Sequence, residues 1–399
     1  MNILLLAKKN PWPPKDGEAI AILQMAKGLA ANGNRVTVLY MNTPKHHFDA
    51  EKIQLGGFYD IQFQSVWVNS NVKPWNALLN LVKNIPYHTE KFFSNEYLSK
   101  LISIVKNENF DIIQAEGLYL IQYLTSIPKS FNTKFVYRSH NQEGEIWKNI
   151  AANSKNPVKK WYLQLQSKKL FRYENLIVKN VDAIVPISIS DTVHYKNISN
   201  QFQVHYSPTG IDIENIPDNT PEVKGIDLYF IGGLDWLPNT EGLLWFIKKI
   251  FPVIKNLFSD IQLHIAGRNA PAWLGEKISG IPGIKFYGEV PNAFEFIQDK
   301  FICIVPLLSG SGMKLKIMEA MAVGKPVITT FKGAEGMPTG VDEHISVAVS
   351  EAEFIRMLSD MLNNKVDTIH KAKAAKQFVM QHLNNITLTK QLTQFYSNL

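Results

Sequence analysis

Residues 305–337 read VPLLSGSGMKLKIMEAMAVGKPVITTFKGAEGM, and the rest of the chain is understood from this stretch. An apolar run at 301–306 breaks into Ser309-Gly310-Ser311-Gly312. A helical pattern carrying Lys314, Lys316 and Glu319 follows, and Gly324 with Pro326 stops it before the β-branched run at 327–330. The order predicted is strand, glycine loop, helix, glycine stop, strand. Such a loop leaves backbone N–H groups unpaired at a helix start, where an anionic phosphate satisfies them and meets the positive end of the helix dipole. Nucleotide handling is the chemistry implied, although glycines in a strand-to-helix turn also serve positive φ with no ligand at all.

The same rhythm extends upstream. GIDLYFIGGLDWLPN at 225–239 reads as strand and loop, 240–258 as an amphipathic helix, and IQLHIAGR, IKFYGEV and FICIVPL as further strands. An earlier series opens with MNILLLA, a loop, and a helix from about Gly17 to Asn32 with Asp16 placed as its N-cap and Gly33 as its stop. RVTVLYMN, IQFQSVWV, FDIIQAE and TKFVYRSHN continue it as strands, and Pro208 and Gly210 punctuate the passage to the second series. Two successive βα series predict an α/β protein of two doubly wound, Rossmann-like domains, with the ligand site in a cleft between them. Arg138, Ser139, His140 and Asn141 stand at the end of a strand, where open α/β sheets bind ligands. After Val349 the chain reads as helical to its end.

A chain of 399 residues with 45% apolar content has the length of two or three domains, and it holds no apolar run of the roughly 20 residues that a membrane helix needs. The one cysteine, Cys303, has no intramolecular disulfide partner, which fits a reducing cytoplasm. Charge is uneven: residues 1–200 hold 24 Lys and Arg against 15 Asp and Glu, a net +9, while the remainder holds 18 against 20, a net −2. A basic half attracts polyanions, and with no helix-turn-helix, zinc-finger or RNA-binding signature an anionic membrane surface is a better partner than nucleic acid. KPWNALLNLVKNIPYHTEKFF, residues 73–93, mixes aromatics with lysines as an interfacial surface does, and as a packed helical insertion also does.

GSGMKLKIMEAMAVGKPVITT followed by GAEG resembles the nucleotide-sugar site of GT-B glycosyltransferases of the family 4 type, the group 1 glycosyltransferases. The resemblance spans nearly the whole chain. It implies an N-terminal acceptor-side domain over 1–206, a nucleotide-sugar-binding domain over 207–385, and a last helix, 386–399, that crosses back onto the first domain. It places Gly310, Ser311, Gly312 and Met313 against the donor, Glu319 on the donor's ribose, His140 near the reacting sugar, and Gly17 at a glycine turn where backbone meets donor phosphate or acceptor. Three positions depart from the family pattern. Ser311 stands where a first glutamate contacts the sugar, and Gly233 and Pro238 or Asn239 stand where an arginine and a lysine grip the diphosphate. The basic pair Lys314 and Lys316, with Arg268 at a strand end, is the expected replacement, Lys314 foremost. A plain i,i+3 ion pair between Lys316 and Glu319 is the alternative.

The function that the resemblance implies is transfer of a sugar, with retained configuration, from a nucleotide-sugar donor to a glycan or lipid-linked acceptor. Bacterial surface polysaccharide assembly at the cytoplasmic face of a membrane is the expected setting. No Asp-x-Asp pair occurs in the chain, so no metal and no other cofactor is expected. A GT-B epimerase or hydrolase and a non-catalytic nucleotide-sugar-binding protein remain as alternatives.

Overall fold

In the computed structural model, residues 1–399 are described except 15, 45–46, 49–52, 54–60, 72–74, 76–78, 129–131, 155, 217–224 and 311. Among the described residues, seven parallel strands form the first sheet: β1 (Asn2–Ala7), β2 (Arg35–Asn42), β3 (Ile61–Trp67), β4 (Ile112–Glu116), β5 (Lys134–Ser139), β6 (Ala183–Pro186) and β7 (Gln203–Val204), in the order β3-β2-β1-β4-β5-β6-β7. Parallel strands are covered on both faces, which is why β1 reads as an unbroken apolar run and is buried from Ile3 to Ala7. Ile3, Leu5 and Ala7 face Ile22, Met25 and Leu29 of the helix Gly17–Ala31. Leu4 and Leu6 share the opposite core with Tyr97, Leu101 and Tyr123. Asp16 caps that first helix as expected, its carboxylate accepting from the Ala19 amide at 3.0 Å.

The second sheet has six described strands, β8 (Leu228–Ile231), β9 (Leu263–Ala266), β10 (Ile284–Gly288), β11 (Ile302–Val305), β12 (Val327–Thr330) and β13 (Ser346–Ala348), ordered β10-β9-β8-β11-β12-β13 and all parallel. One face packs Leu228, Phe230, Ile265 and Ile304 on Phe246, Ile250 and Phe354. The other packs Tyr229, Cys303 and Val305 on Ile317, Met318 and Met321 of the helix Leu315–Ala322, which follows the glycine loop.

The chain divides into residues 1–210 with 385–399 as one unit and 211–384 as the other. The division falls a few residues beyond Tyr206 for a backbone reason. The amides of His205 and Ser207 still donate to Ile184 and Pro186 of β6, whereas the Ile211 amide donates to Leu383 in the second unit. The helix Asn385–Ser397 belongs to the first unit and lies along Gly17–Ala31. Gly28 makes this approach possible, since a Cβ there would stand 2.5 Å from Thr389 Oγ1. Polar bonds edge the seam: Asn385 Nδ2 donates to Gln24 O at 2.7 Å and Asn32 Nδ2 to Ile386 O at 2.9 Å.

Candidate active site

In the second unit the chain runs outward from β8 in one direction and from β11 in the other, so the loops after these two neighbouring strands splay apart at their carboxyl ends. Crevices at such switch points are where doubly wound sheets hold ligands. The loop after β8 carries Gly232 and Gly233, and the loop after β11 carries the glycine stretch. Gly310 has φ +103°, and a Cβ there would come within 2.9 Å of the Trp236 ring, so both conformation and space require glycine. Gly312 is also left-handed, at φ +77°. No side chain caps the helix Leu315–Ala322, and in its first turn the Ile317 amide donates to the Lys314 carbonyl at 2.9 Å.

Three cations were expected here, and their placements differ. Lys316 Nζ donates to Asn239 Oδ1 at 2.7 Å, lies 4.6 Å from the centre of the Phe230 ring, and stands 2.7 Å from where a Gly232 Cβ would be. Asn239 itself is buried and donates from Nδ2 to Gly233 O at 2.8 Å, so it braces the β8 loop and holds the lysine at once. Arg268, just past β9, brings its Nε to 3.8 Å from where a Gly233 Cβ would be. Lys314 is 4% exposed and its ammonium donates to the Glu335 carbonyl at 2.8 Å, tying the helix start to the turn at 333–336. Lys316 thus reaches Asn239 from the helix Leu315–Ala322, and Arg268 reaches the Gly233 position from just past β9.

Burial pulls the Lys316 ammonium down to about 8, against the opposing pull of Cys303 and Glu319. Burial lowers Lys314 to about 8 as well, with Glu335 opposing. Glu319, half-buried on the same helix, has its carboxyl raised by burial, with Lys316 pulling it back. Lys316 and Glu319 do not form the i,i+3 ion pair; the ammonium lies on Asn239 and the two charges interact only at longer range. Met313 is half-buried and packs on the core beneath the loop, and Ser311 lies outside the described residues.

The first unit has its own switch point, between β1 and β4. His140 follows β5 there, and its Nε2 lies 2.7 Å from Glu116 Oε2 at the end of β4. Arg138 reaches the same oxygen at 3.4 Å and donates to Ala21 O at 3.0 Å. Burial would raise the Glu116 carboxyl, but Arg138, His140 and Gln114 outweigh it and hold it below the usual range. Beside them, Glu18 pairs with Lys8 at 3.2 Å and Lys9 at 3.1 Å. Burial pushes Glu18 up, yet Lys8, Lys9 and His140 bring it to about 2. The Tyr119 hydroxyl donates to Glu143 at 2.9 Å, and His88, whose imidazole burial lowers to about 4, lies against Trp147 with ring centres 4.2 Å apart. Gly17 opens the first helix with nothing within 4 Å of its Cβ position, so the fold does not demand glycine there.

Residues 16–215 match the family model described as Glycosyltransferase Family 4, and 225–364 match the one described as Glycosyl transferases group 1. The chain belongs to glycosyltransferase family 4. It is similar to an uncharacterized 44.6 kDa protein of the cps region of Klebsiella pneumoniae, 23% identical over 388 residues that cover 91% of each chain. Among solved structures, sucrose-phosphate synthase from Thermosynechococcus elongatus superposes with TM-score 0.71 at 14% identity, covering 100% of this chain and 99% of that one. HepE from Anabaena, in complex with UDP-glucose, gives 0.68 at 13% identity with both chains fully covered, 100% and 100%. These likenesses carry the GT-B fold.

Within this glycosyltransferase the structure gathers Gly233, Asn239, Arg268 and Lys316 around one loop and holds Glu319 on the adjoining helix. The sequence reading missed Glu116, Gln114, Glu18 and Lys8. A signal was present for the first two: Gln114 and Glu116 are two apart in a strand buried on both faces, and polar groups so placed must be partnered.

Proposed function

We propose that this family 4 glycosyltransferase moves a sugar from a nucleotide sugar to a glycan or lipid-linked acceptor, with retained configuration and without a metal. The observation that carries the reading is the pair of cations brought to the β8 loop, Lys316 bonded to Asn239 at 2.7 Å and Arg268 against Gly233. Charge develops on the leaving diphosphate as the sugar departs, and fixed cations with oriented amides stabilise it most where water is excluded. Lys316 and Arg268 supply the cations, the uncapped start of Leu315–Ala322 supplies amides, and Glu319 accepts from the ribose hydroxyls. Lys314 braces the loop. His140, held by Glu116, faces the sugar, and the acceptor attacks from the side the nucleotide leaves, which retains configuration.

UDP-glucose bound to a fold relative and a relative in a cps region support a nucleotide-sugar donor and surface polysaccharide assembly. Peripheral attachment to an anionic membrane is part of the same reading. Among the described residues no helix is long and apolar enough to cross a membrane, while Trp75, Val82, Ile85 and Phe93 are exposed. The segment 80–87 is bonded to the helix Pro157–Ile177 through Gln166 and Lys169, and that helix exposes Val158 and Trp161 beside Lys159 and Lys160. Lys73 lies outside the described residues.

A thermal-shift screen of nucleoside diphosphates and their sugars tests the function, because a ligand at about 100 times its dissociation constant adds about 2.7 kcal/mol of stability. One nucleotide series should stabilise the protein in EDTA, and its sugar should be transferred with the anomeric configuration kept. Nucleotide release with no acceptor dependence would mark a hydrolase or epimerase, and binding without any release a non-catalytic protein.

A further inference from the structure

On the first sheet, the face beneath the helices Gly17–Ala31 and Asn385–Ser397 is apolar, built from Ile3, Leu5, Val36, Val38, Ile112, Val136 and their neighbours. Alternation along β4 and β5 puts Gln114, Glu116 and Arg138 on it too, all at most 1% exposed. Buried polar groups cost stability unless they are bonded, and the bonds here run in one direction. Ionised Glu116 only accepts. Gln114 must therefore turn its Nε2 to Glu116 Oε1, at 2.6 Å, which leaves its Oε1 for the hydroxyl of Tyr396 on the C-terminal helix, and Tyr396 donates. On the other oxygen of Glu116, His140 donates from Nε2 at 2.7 Å. Arg138 supplies charge at 3.4 Å rather than direction, and its Nε is unpartnered.

We propose that Tyr396, Gln114 and Glu116 are positioning residues for His140, so that the C-terminal helix is part of the apparatus that orients the site histidine. With Nε2–H committed to Glu116, Nδ1 is the ring nitrogen left to meet a sugar hydroxyl. Without the Tyr396 hydroxyl, Gln114 Oε1 has no donor. Its amide keeps Nε2 on Glu116 but is left with a buried, unsatisfied oxygen and loses the contact that fixes its place, so the carboxylate that orients the ring is held less firmly. The role of His140 toward sugar rests on the function proposed above, but the state of its ring can be read independently of turnover.

The experiment uses the full chain labelled with ¹⁵N-histidine, long-range nitrogen–proton correlation of the imidazoles, and UDP-glucose as the donor probe. His140 signals are assigned by their loss in His140→Gln. In the parent, His140 is expected as the Nε2–H form. Tyr396→Phe and Gln114→Met, which keep the packing and cut the file at successive steps, should shift the ring toward a mixture of tautomers. They should also lower kcat on the order of tenfold, with KM for UDP-glucose unchanged, since misplacement of a site group by about 1 Å can cost about a hundredfold. Thr393→Ala, which removes a bond from Asn34 to the same helix without touching the file, should match the parent in both readouts. The proposal is overturned if Tyr396→Phe and Gln114→Met fold and keep the parental His140 ring pattern, or if Thr393→Ala disturbs the ring as they do. If the parent does not turn over UDP-glucose, the ring pattern alone decides.

Discussion

In the proposed function donor binding turns on Lys316, whose environment gives it a pH signature. Its ammonium sits near 8 because of burial, so the charged form that a diphosphate needs is full below that pH and lost as pH rises through it. Nucleoside diphosphate affinity should fall between pH 7 and 9, and Lys316→Arg, which stays charged, should flatten the fall; a calorimetric pH series that is as steep in Lys316→Arg as in the parent would point to Glu319 or Lys314 instead. Glu319→Gln should weaken nucleotide binding and leave the fold intact, since the carboxylate is half-buried beside the loop and bonded to no other described residue. Unchanged affinity for the diphosphate would remove Glu319 from the ribose. Sequence grouped Lys314, Lys316 and Arg268 and put Lys314 foremost, whereas the proposed function gives the diphosphate to Lys316 and Arg268, because the Lys314 ammonium is bonded to the Glu335 carbonyl. Lys314 precedes the helix, so helical periodicity does not aim it, and only the position of the Glu335 carbonyl shows where its ammonium goes. Nor could spacing show that Arg268, some thirty-five residues from Gly233, returns beside it just past the adjacent strand β9.

At the scale of elements, the seam between Gly17–Ala31 and Asn385–Ser397 depends on Gly28. Gly28→Leu would drive its side chain into Thr389, whose Oγ1 already lies 2.5 Å from a Cβ at that point. Overpacking of this kind costs about 1–3 kcal/mol, and hydrogen exchange should rise in 385–399 first, with residues 211–384 unaffected. Uniform exchange in both units would mean that the last helix is not held by this seam. The strands were legible because parallel sheets bury both faces and leave continuous apolar runs such as ILLLA and ICIV. The helix after the glycine loop was legible from its stop signals. What stayed hidden is the polar file on β4, because FDIIQAE announces a strand and says nothing of which neighbours satisfy Gln114 and Glu116.

For the whole molecule, the +9 charge of residues 1–200 and the exposed side chains of Trp75, Val82, Ile85, Phe93, Val158 and Trp161 predict binding to anionic over zwitterionic vesicles, weakened by salt. Equal partitioning onto both, or none, would reduce these features to ordinary surface. Turnover should also survive excess EDTA, and activity lost in EDTA and restored by manganese or magnesium would bring a metal into the mechanism. In the proposed mechanism a nucleotide-sugar diphosphate is held by the cations at the β8 loop, Lys316 first. Titration calorimetry of UDP, GDP and ADP into the parent and Lys316→Ala, in EDTA at pH 7, tests it most directly. One diphosphate should bind the parent, and Lys316→Ala should bind it on the order of tenfold to a hundredfold more weakly, as expected for a lost charge-assisted bond of about 1.5–3 kcal/mol. Binding of that diphosphate to Lys316→Ala with parental affinity, or binding of none of the three to the parent, would mean that Lys316 does not hold a nucleotide diphosphate.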